Sequence, residues 1–114
     1  MAKQYLYLFR GGDTHLDELS PEQMQSHMAR WGQWMGALEA EGLLIGGAPL
    51  DNNSGAVLTP DKMIADGPYA EAKDLVGGYV MVTCETFETA LEWAKSCPIL
   101  DDNGTVEVRT VRQM

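Results

Sequence analysis

The chain has 114 residues, 45% of them hydrophobic, and carries 8 basic against 17 acidic side chains, for a formal net charge of -9. This length suits a single core, so we expect one domain over residues 1–114. The negative charge repels a phosphate backbone and therefore argues against nucleic acid as a partner. The N-terminal apolar run, residues 5–9, stops at Arg10 and is too short for a signal peptide or membrane span. We therefore predict a soluble, cytoplasmic protein with no membrane partner.

The residues that bind metals elsewhere are poorly spaced for that purpose here. Cys84 and Cys97 form no CxxC or Cys/His pattern and are typical of two buried thiols in a reducing compartment. Asp13, His15 and Asp17 alternate in a loop, but a third nitrogen or sulfur ligand is lacking. We predict neither a metal site nor a cofactor.

The first two elements have clear boundaries in the sequence. Residues 4–9 are almost all aromatic or aliphatic, which predicts a strand. Ser20, Pro21 and Gln23 form a capping box with proline in the first turn, so a helix is predicted to begin there and to end at Gly42. Its predicted apolar stripe steps by four and three residues and consists of Met24, Met28, Trp31, Met35 and Leu38.

The middle of the chain predicts short strands and turns. Residues 43–45 form a second strand, and the turn-rich residues 51–55 lead into residues 56–59, which we expect to return as its hairpin partner. Residues 63–65 are predicted as a short edge strand.

The last third of the chain predicts strand, helix and strand. Residues 75–83 form the strand, Thr86 caps the helix and Pro98 ends it. In the final strand, residues 105–111, valines alternate with Glu107 and Arg109, so one face should be packed and the other polar.

This order of elements predicts an α+β fold of the ferredoxin-like, split βαβ type, with an antiparallel sheet and two helices on one of its faces. The inner strand is apolar on both faces, because Tyr79 and Met81 alternate with Val80 and Val82. Two helices cover only one face, so a second subunit is expected on the other. The predicted partner is therefore a second copy, in a homodimeric α/β barrel.

The segment Asp66-Gly67-Pro68 predicts a sharp turn, because glycine allows unusual backbone angles and proline removes a donor. Residues 68–73 have the composition of one helical turn, and Gly77 and Gly78 let the backbone approach a neighbour closely. Two interpretations remain open, a shaped loop beside a cleft and a plain connection.

Several motifs together resemble the YCII-related family, and specifically its DGPF-motif branch. They are DGPY at residues 66–69, EAK at 71–73, GGY at 77–79, GG at 46–47, ALEWA at 90–94 and VEVR at 106–109. Tyr69 stands where the name of the branch has phenylalanine. The resemblance implies a ferredoxin-like dimeric α/β barrel and a biochemical function that is mostly unassigned in the family.

The resemblance also implies a candidate catalytic pair, because the wider family is suspected of using a first-helix histidine that faces an aspartate. Asp66 matches the aspartate, whereas Trp31 occupies the usual place of the histidine. His27 lies one helical turn earlier, on nearly the same face. His27 and Asp66 are therefore the candidate catalytic residues, with absence of the pair as the alternative.

Helical geometry places His27 at the margin of the apolar stripe, with Trp34 and Arg30 beyond it. An imidazole there has two interpretations, a general base lining a pocket and a half-exposed histidine packed on tryptophan. The predicted ligand-binding residues are Trp31, Trp34, Arg30, Tyr69, Tyr79 and Arg109.

Three functions fit these observations. The first is a dimeric small-molecule-binding protein whose cleft is lined by first-helix aromatics and the Asp-Gly-Pro loop. The second is a small-molecule enzyme, a hydrolase or isomerase, that uses a His-Asp pair. The third is a protein-interaction module. Nucleophile motifs, phosphate loops and cofactor fingerprints are missing from the sequence, so binding is the favoured function and enzymatic activity is left open.

Overall fold

The computed structural model describes residues 2–12, 18–67 and 75–114. Its elements are β1 (Lys3–Gly11), α1 (Pro21–Ala40), β2 (Leu44–Pro49), β3 (Ala56–Leu58), β4 (Ile64–Asp66), β5 (Val76–Cys84), α2 (Phe87–Ala94), a 3-10 helix (Pro98–Asp102) and β6 (Gly104–Thr110). The predicted helical turn over 68–73 and the acidic loop over 13–17 lie outside the described residues.

Both helices begin at the predicted caps. The Ser20 hydroxyl accepts a hydrogen bond from the Gln23 amide at 3.1 Å, and the Gln23 side chain accepts one from the Ser20 amide at 2.9 Å. Thr86 accepts a hydrogen bond from the Thr89 amide at the start of α2. The capping box and the threonine cap are confirmed.

The prediction that Pro98 ends α2 was wrong, because the helix ends at Ala94 and Pro98 instead opens the 3-10 helix. A residue before proline is pushed out of the helical region, and Cys97 accordingly has an extended ψ of 130°. The proline thus begins a second turn and does not terminate the first helix.

The main sheet has the order β2-β5-β1-β6, and all its pairings are antiparallel. The central strand β1 pairs with both β5 and β6. The chain passes from β1 through α1 to β2 with β5 lying between those strands, which is the split βαβ connection. The predicted ferredoxin-like α+β fold is confirmed.

The predicted hairpin between residues 43–45 and 56–59 was wrong, because β3 pairs with β4 in a separate two-stranded sheet. The reason is a tighter turn at Thr59, Pro60, Asp61 and Lys62. The Thr59 and Lys62 backbones bond across this turn, and Lys62 has a positive φ of 68°. The short loop forms at less entropic cost than the longer one, while β2 pairs with β5.

The core lies between α1, α2 and one face of the main sheet. Tyr5, Tyr7 and Phe9 of β1 are buried there, and so are Val80 and Val82 of β5. From α1, Trp34 and Leu38 are buried, whereas Met28 is 65% exposed. The predicted stripe was therefore wrong at Met28 and Trp34, because the Trp34 ring packs on Tyr7 and Phe9 and its N–H donates to the Trp93 carbonyl.

Two glycines explain how β2 and β5 lie so close together. A Cβ at Gly47 would come 2.5 Å from the Tyr79 carbonyl oxygen, and one at Gly78 would come 3.1 Å from the Ala48 carbonyl oxygen. Side chains at these positions would push the two strands apart. Gly47 of β2 and Gly78 of β5 thus allow the two strands to pair closely.

The other side of the main sheet, which we call the open face, has no layer packed on it among the described residues. Strand register places Leu6 and Leu8 opposite Met81 and Tyr79 on this side. Glu107 and Arg109 lie opposite the same leucines on β6, as the predicted alternation requires. The shortest dimension of the molecule is 19 Å, enough for one sheet and one helical layer spaced about 10 Å apart.

The second sheet, residues 56–66, forms a hairpin that we call the arm. Its exposed apolar side chains are Leu58, Met63 and Ile64, at 64%, 65% and 69%. The radius of gyration is 15.6 Å. A compact chain of this length would have about 13 Å, which agrees with an arm that extends from the body.

Candidate functional site

The candidate site lies where α1 meets the 3-10 helix. A depression of about 280 Å³ is lined there by Leu19, Gln23, Ser26, His27, Arg30 and Asp102. A second depression of about 360 Å³ lies between α1 and the end of α2, and Arg30 lines both. Arg30 therefore stands at the junction of two adjoining hollows.

Local structure brings a cation and an anion together at this junction. His27 and Arg30 are three residues apart on α1 and so face the same side. The 3-10 helix brings Asp102 to them, and the Arg30 Nη2 lies 3.4 Å from the Asp102 Oδ2. This contact is longer than a usual charge-assisted hydrogen bond, which leaves the guanidinium able to take a better acceptor.

His27 carries a buried atom without a partner. Its Nδ1 is shielded from solvent and makes no hydrogen bond with the described residues. The ring lies 6.4 Å from the Trp31 ring, between centroids. An unsatisfied buried polar group costs about 1–3 kcal/mol, and such groups call for an explanation when they line a hollow.

The two predicted tryptophan ligands are mainly packing residues. The Trp34 ring N–H donates to the Trp93 carbonyl at 3.0 Å, and the ring lies 5.9 Å from that of Tyr7. Trp31 packs edge-on against Phe9 at 5.1 Å. Trp34 also forms a wall of the larger depression. The aromatics predicted to line a cleft thus serve chiefly to hold α1 on the sheet.

The remaining predicted site residues lie elsewhere. Asp66 is exposed on the arm, and no hydrogen bond or ion pair joins it to His27 among the described residues. Tyr79 and Arg109 lie on the open face, and Tyr69 lies outside the described residues. Of the predicted site residues that the structure describes, it brings together His27, Arg30, Trp31 and Trp34 within one chain.

Asp102 is the site residue that sequence reasoning missed. It ends a proline-initiated segment that contains two adjacent acids, and Asn103 follows with a left-handed φ of 64°. Proline at the start and asparagine in that conformation at the end are signals of a short helical turn. Those signals are visible in the sequence, but nothing in the sequence indicates that Asp102 contacts Arg30, 72 residues away.

The buried phenol and thiols are poor candidates for chemistry. Tyr7 donates its hydroxyl to the Ala90 carbonyl at 2.6 Å, and burial, with neighbouring Cys84 and Cys97, raises its pKa. Burial also raises the pKa of the Cys97 thiol to about 11. Both cysteines are free and buried, as predicted. A thiol held protonated at neutral pH is not an activated nucleophile.

The described residues contain neither a metal-binding cluster nor a membrane-spanning helix. No group of three or more His, Cys, Asp or Glu side chains is arranged to hold a metal ion in the part of the chain that is described. In the same residues, no helix is both long and apolar enough to cross a membrane.

The sheet order and the helices on one of its faces define an α+β protein of the ferredoxin-like class. The model of the YCII-related domain matches residues 4–114, and the chain belongs to that family. No curated protein is significantly similar to it in sequence.

One solved structure that resembles the chain is 5-chloro-2-hydroxyhydroquinone dehydrochlorinase from Burkholderia phenoliruptrix AC1100, in complex with 2,5-dihydroxybenzoquinone. The likeness covers 97% of this chain and 95% of the other, with 14% identity and a TM-score of 0.48. Similarity at this level carries no information about the chemistry of the present site.

Proposed function

We propose that this YCII-related protein binds a small anionic molecule at the His27–Arg30–Asp102 depression and works as a homodimer. The observation that carries the binding site is the buried Nδ1 of His27, without a hydrogen-bond partner among the described residues, beside a guanidinium whose ion pair is long. A ligand that accepts hydrogen bonds there would pair with the Arg30 guanidinium and lie against the His27 ring. The site replaces the cleft of first-helix aromatics, because those rings are used in packing.

The chemistry of the lining selects a class of ligand. Arg30 offers a fork of donors that matches a carboxylate, and Gln23 and Ser26 add neutral polar groups. Leu19 supplies an apolar wall. A small carboxylic acid with an apolar portion fits this lining, and its charge is opposite to that of Arg30.

A thermal-shift screen of small aliphatic and aromatic carboxylic acids tests the site. A ligand at 100 times its dissociation constant stabilises the folded protein by about 2.7 kcal/mol, which raises the melting temperature by several degrees. We expect that rise to disappear in Arg30→Gln and to persist in Lys95→Gln, which removes the exposed lysine at the C-cap of α2. Stabilisation that survives in Arg30→Gln would place the ligand elsewhere.

A second function, enzymatic proton transfer, is favoured by the imidazole itself. A histidine beside a bound acid is suited to move a proton near neutral pH. Within one chain, Asp66 makes no described contact with His27. The candidate pair would therefore need the Asp66 of a second copy. If a stabilising acid is also converted, His27→Gln should abolish turnover and retain binding, whereas Asp66→Asn tests the pair. Equal turnover in His27→Gln would remove the histidine from any mechanism.

The homodimer is supported by the open face, where Leu6, Leu8, Tyr79 and Met81 form a partly exposed apolar surface with no layer packed on it among the described residues. Membership of the DGPF-motif branch is supported by the DGPY, EAK and GGY motifs, and Gly67 has the positive φ, 79°, that only glycine adopts readily. Two free thiols support a reducing, cytoplasmic location.

Sedimentation of the purified chain tests the proposed homodimer, and a monomer mass at micromolar concentration would contradict it.

A protein-interaction role remains the outcome if the chain dimerises but no acid stabilises it. In that case the open face and the arm, and not the depression, would be the functional surfaces. Retention of a second cellular protein by the dimer, lost on substitution of the open face, would then be expected.

A further inference from the structure

The arm exposes apolar side chains on a structure that is too small to be stable alone. Isolated two-stranded hairpins are at best marginally stable in water. The arm contains only three residues in each strand, and Leu58, Met63 and Ile64 are all about two-thirds exposed. Apolar side chains clustered in this way mark an interaction site more often than scattered single ones.

The size of the open face indicates what the arm contacts. The open face of β1 and β5 presents four residues from each strand, namely Gln4, Leu6, Leu8, Arg10, Gly77, Tyr79, Met81 and Thr83. Even with the contributions of β2 and β6, this is fewer than the 20–30 residues per side of a standard interface. A dimer through the open face therefore needs additional contact area, and the arm offers three of the most exposed apolar side chains among the described residues.

Charge supports the same partner. On the open face, Glu107 lies 2.5 Å from Arg10 and 3.5 Å from Arg109, and the Arg109 side chain is 66% exposed. The arm carries Asp61 and Asp66 against Lys62, for a net charge of -1. The exposed Arg109 guanidinium is complementary to the acidic arm of another copy.

We infer that the arm of each copy docks on the open face of a second copy, beside Arg109 on β6, and that this contact completes the dimer. The inference rests on the proposed homodimer. In a two-fold arrangement the contact occurs twice, because each copy contributes one arm and one open face. The arm is thus ordered by its partner, and its apolar side chains are buried only in the dimer.

A matched pair of substitutions tests the contact. Met63 on the arm and Met28 on α1 are both 65% exposed, so Met63→Ser and Met28→Ser remove the same side chain at the same exposure. We expect Met63→Ser to raise the dimer dissociation constant, measured by sedimentation, about tenfold or more. Met28→Ser should leave it unchanged. A wild-type dimer with equal dissociation constants in both variants would overturn the arm contact and leave the dimer standing.

Cross-linking locates the arm on its partner. Chains carrying Leu58→Cys are mixed with chains carrying Arg109→Cys and treated with a short bis-maleimide; the natural Cys84 and Cys97 are buried and do not compete in the folded protein. We expect a cross-linked pair containing one chain of each type. Pairs of Leu58→Cys chains alone would place arm against arm and overturn the docking site. A wild-type monomer at micromolar concentration would overturn both the dimer and the arm contact.

Discussion

The two faces of the main sheet are built from the same strands and yet have different energetics. On the covered face Tyr5, Tyr7 and Phe9 are nearly inaccessible to solvent and pack on helices of the same chain. On the open face Leu6 and Leu8 alternate with those aromatics, and Tyr79 is 37% exposed. An apolar pattern on both sides of a strand therefore does not indicate that the strand's own chain covers both of them.

The largest expected effect on stability comes from replacing a tyrosine on the covered face, compared with a tyrosine on the open face. Tyr7→Ala removes a fully buried ring and should lower the free energy of unfolding by about 3–5 kcal/mol at any protein concentration. Tyr79→Ala should have a smaller effect, and in a dimer that effect should depend on protein concentration. Urea unfolding at two protein concentrations measures the stability of both variants. Equal, concentration-independent losses would mean that the open face is stabilised within one chain.

The pH dependence of unfolding tests whether the Cys97 thiol is buried in the folded protein. The folded pKa of Cys97, about 11, lies above its ordinary value of 9.0, so the folded state holds the thiol proton more tightly. The resulting stability is present below pH 9 and is lost as the pH rises through 11. At about 1.4 kcal/mol per pKa unit, the loss reaches up to about 3 kcal/mol.

The control for this titration is Cys97→Ala, which retains every other titrating group. We expect wild type to lose more stability than Cys97→Ala between pH 8 and 11. Parallel urea midpoints for the two chains across that range would contradict the burial of the thiol as the cause.

A single hydroxyl provides the third comparison. Tyr7→Phe removes the hydrogen bond that the hydroxyl donates to the Ala90 carbonyl, which should cost about 0.5–1.5 kcal/mol. Tyr79→Phe removes a hydroxyl from the exposed side and should leave monomer stability within about 0.5 kcal/mol of wild type. Thermal unfolding of both variants makes the measurement, and a loss in Tyr79→Phe equal to that in Tyr7→Phe would contradict the assignment of faces.

The smallest expected effect concerns the ion pairs of the open face. Glu107→Gln weakens the contacts with both Arg10 and Arg109, but Glu107 and Arg109 are 41% and 66% exposed. Exposed ion pairs contribute little to stability, so the free energy of unfolding of the monomer should change by less than about 1 kcal/mol. Lys95→Ala, which breaks an exposed pair with Glu92, is the control. A much larger loss in Glu107→Gln would indicate that these charges are buried, as they would be under a partner.

Most of the fold was predictable because its signals are local. The capping box at Ser20 and the alternation along β6 each lie within a few residues, and both were confirmed. The pairing of β3 with β4 was missed because a tight turn at Pro60 competes with a longer loop. The helical stripe was misjudged because the contacts of Trp34 with Tyr7 and Trp93, and not spacing alone, decide which side of α1 packs.

The candidate site was predictable only in part. His27 and Arg30 were identified because helical spacing brings them to one side of α1, whereas Asp102 reaches them through a contact across 72 residues. Long-range contacts of this kind depend on how the 3-10 helix docks, which local patterns do not encode. Whether Asp66 takes part with His27 stays a prediction, since the two make no described contact within one chain.

The distribution of tryptophan gives this protein a built-in optical reporter. All three tryptophans, Trp31, Trp34 and Trp93, lie on the helical side of the sheet, and Trp31 is the neighbour of His27. An acid that binds beside His27 changes the surroundings of the Trp31 ring, so it should change the fluorescence of the unlabelled chain. Association through the open face should leave that emission nearly constant, because tyrosine is the only fluorophore there. One cuvette can therefore distinguish occupation of the depression from assembly of the dimer.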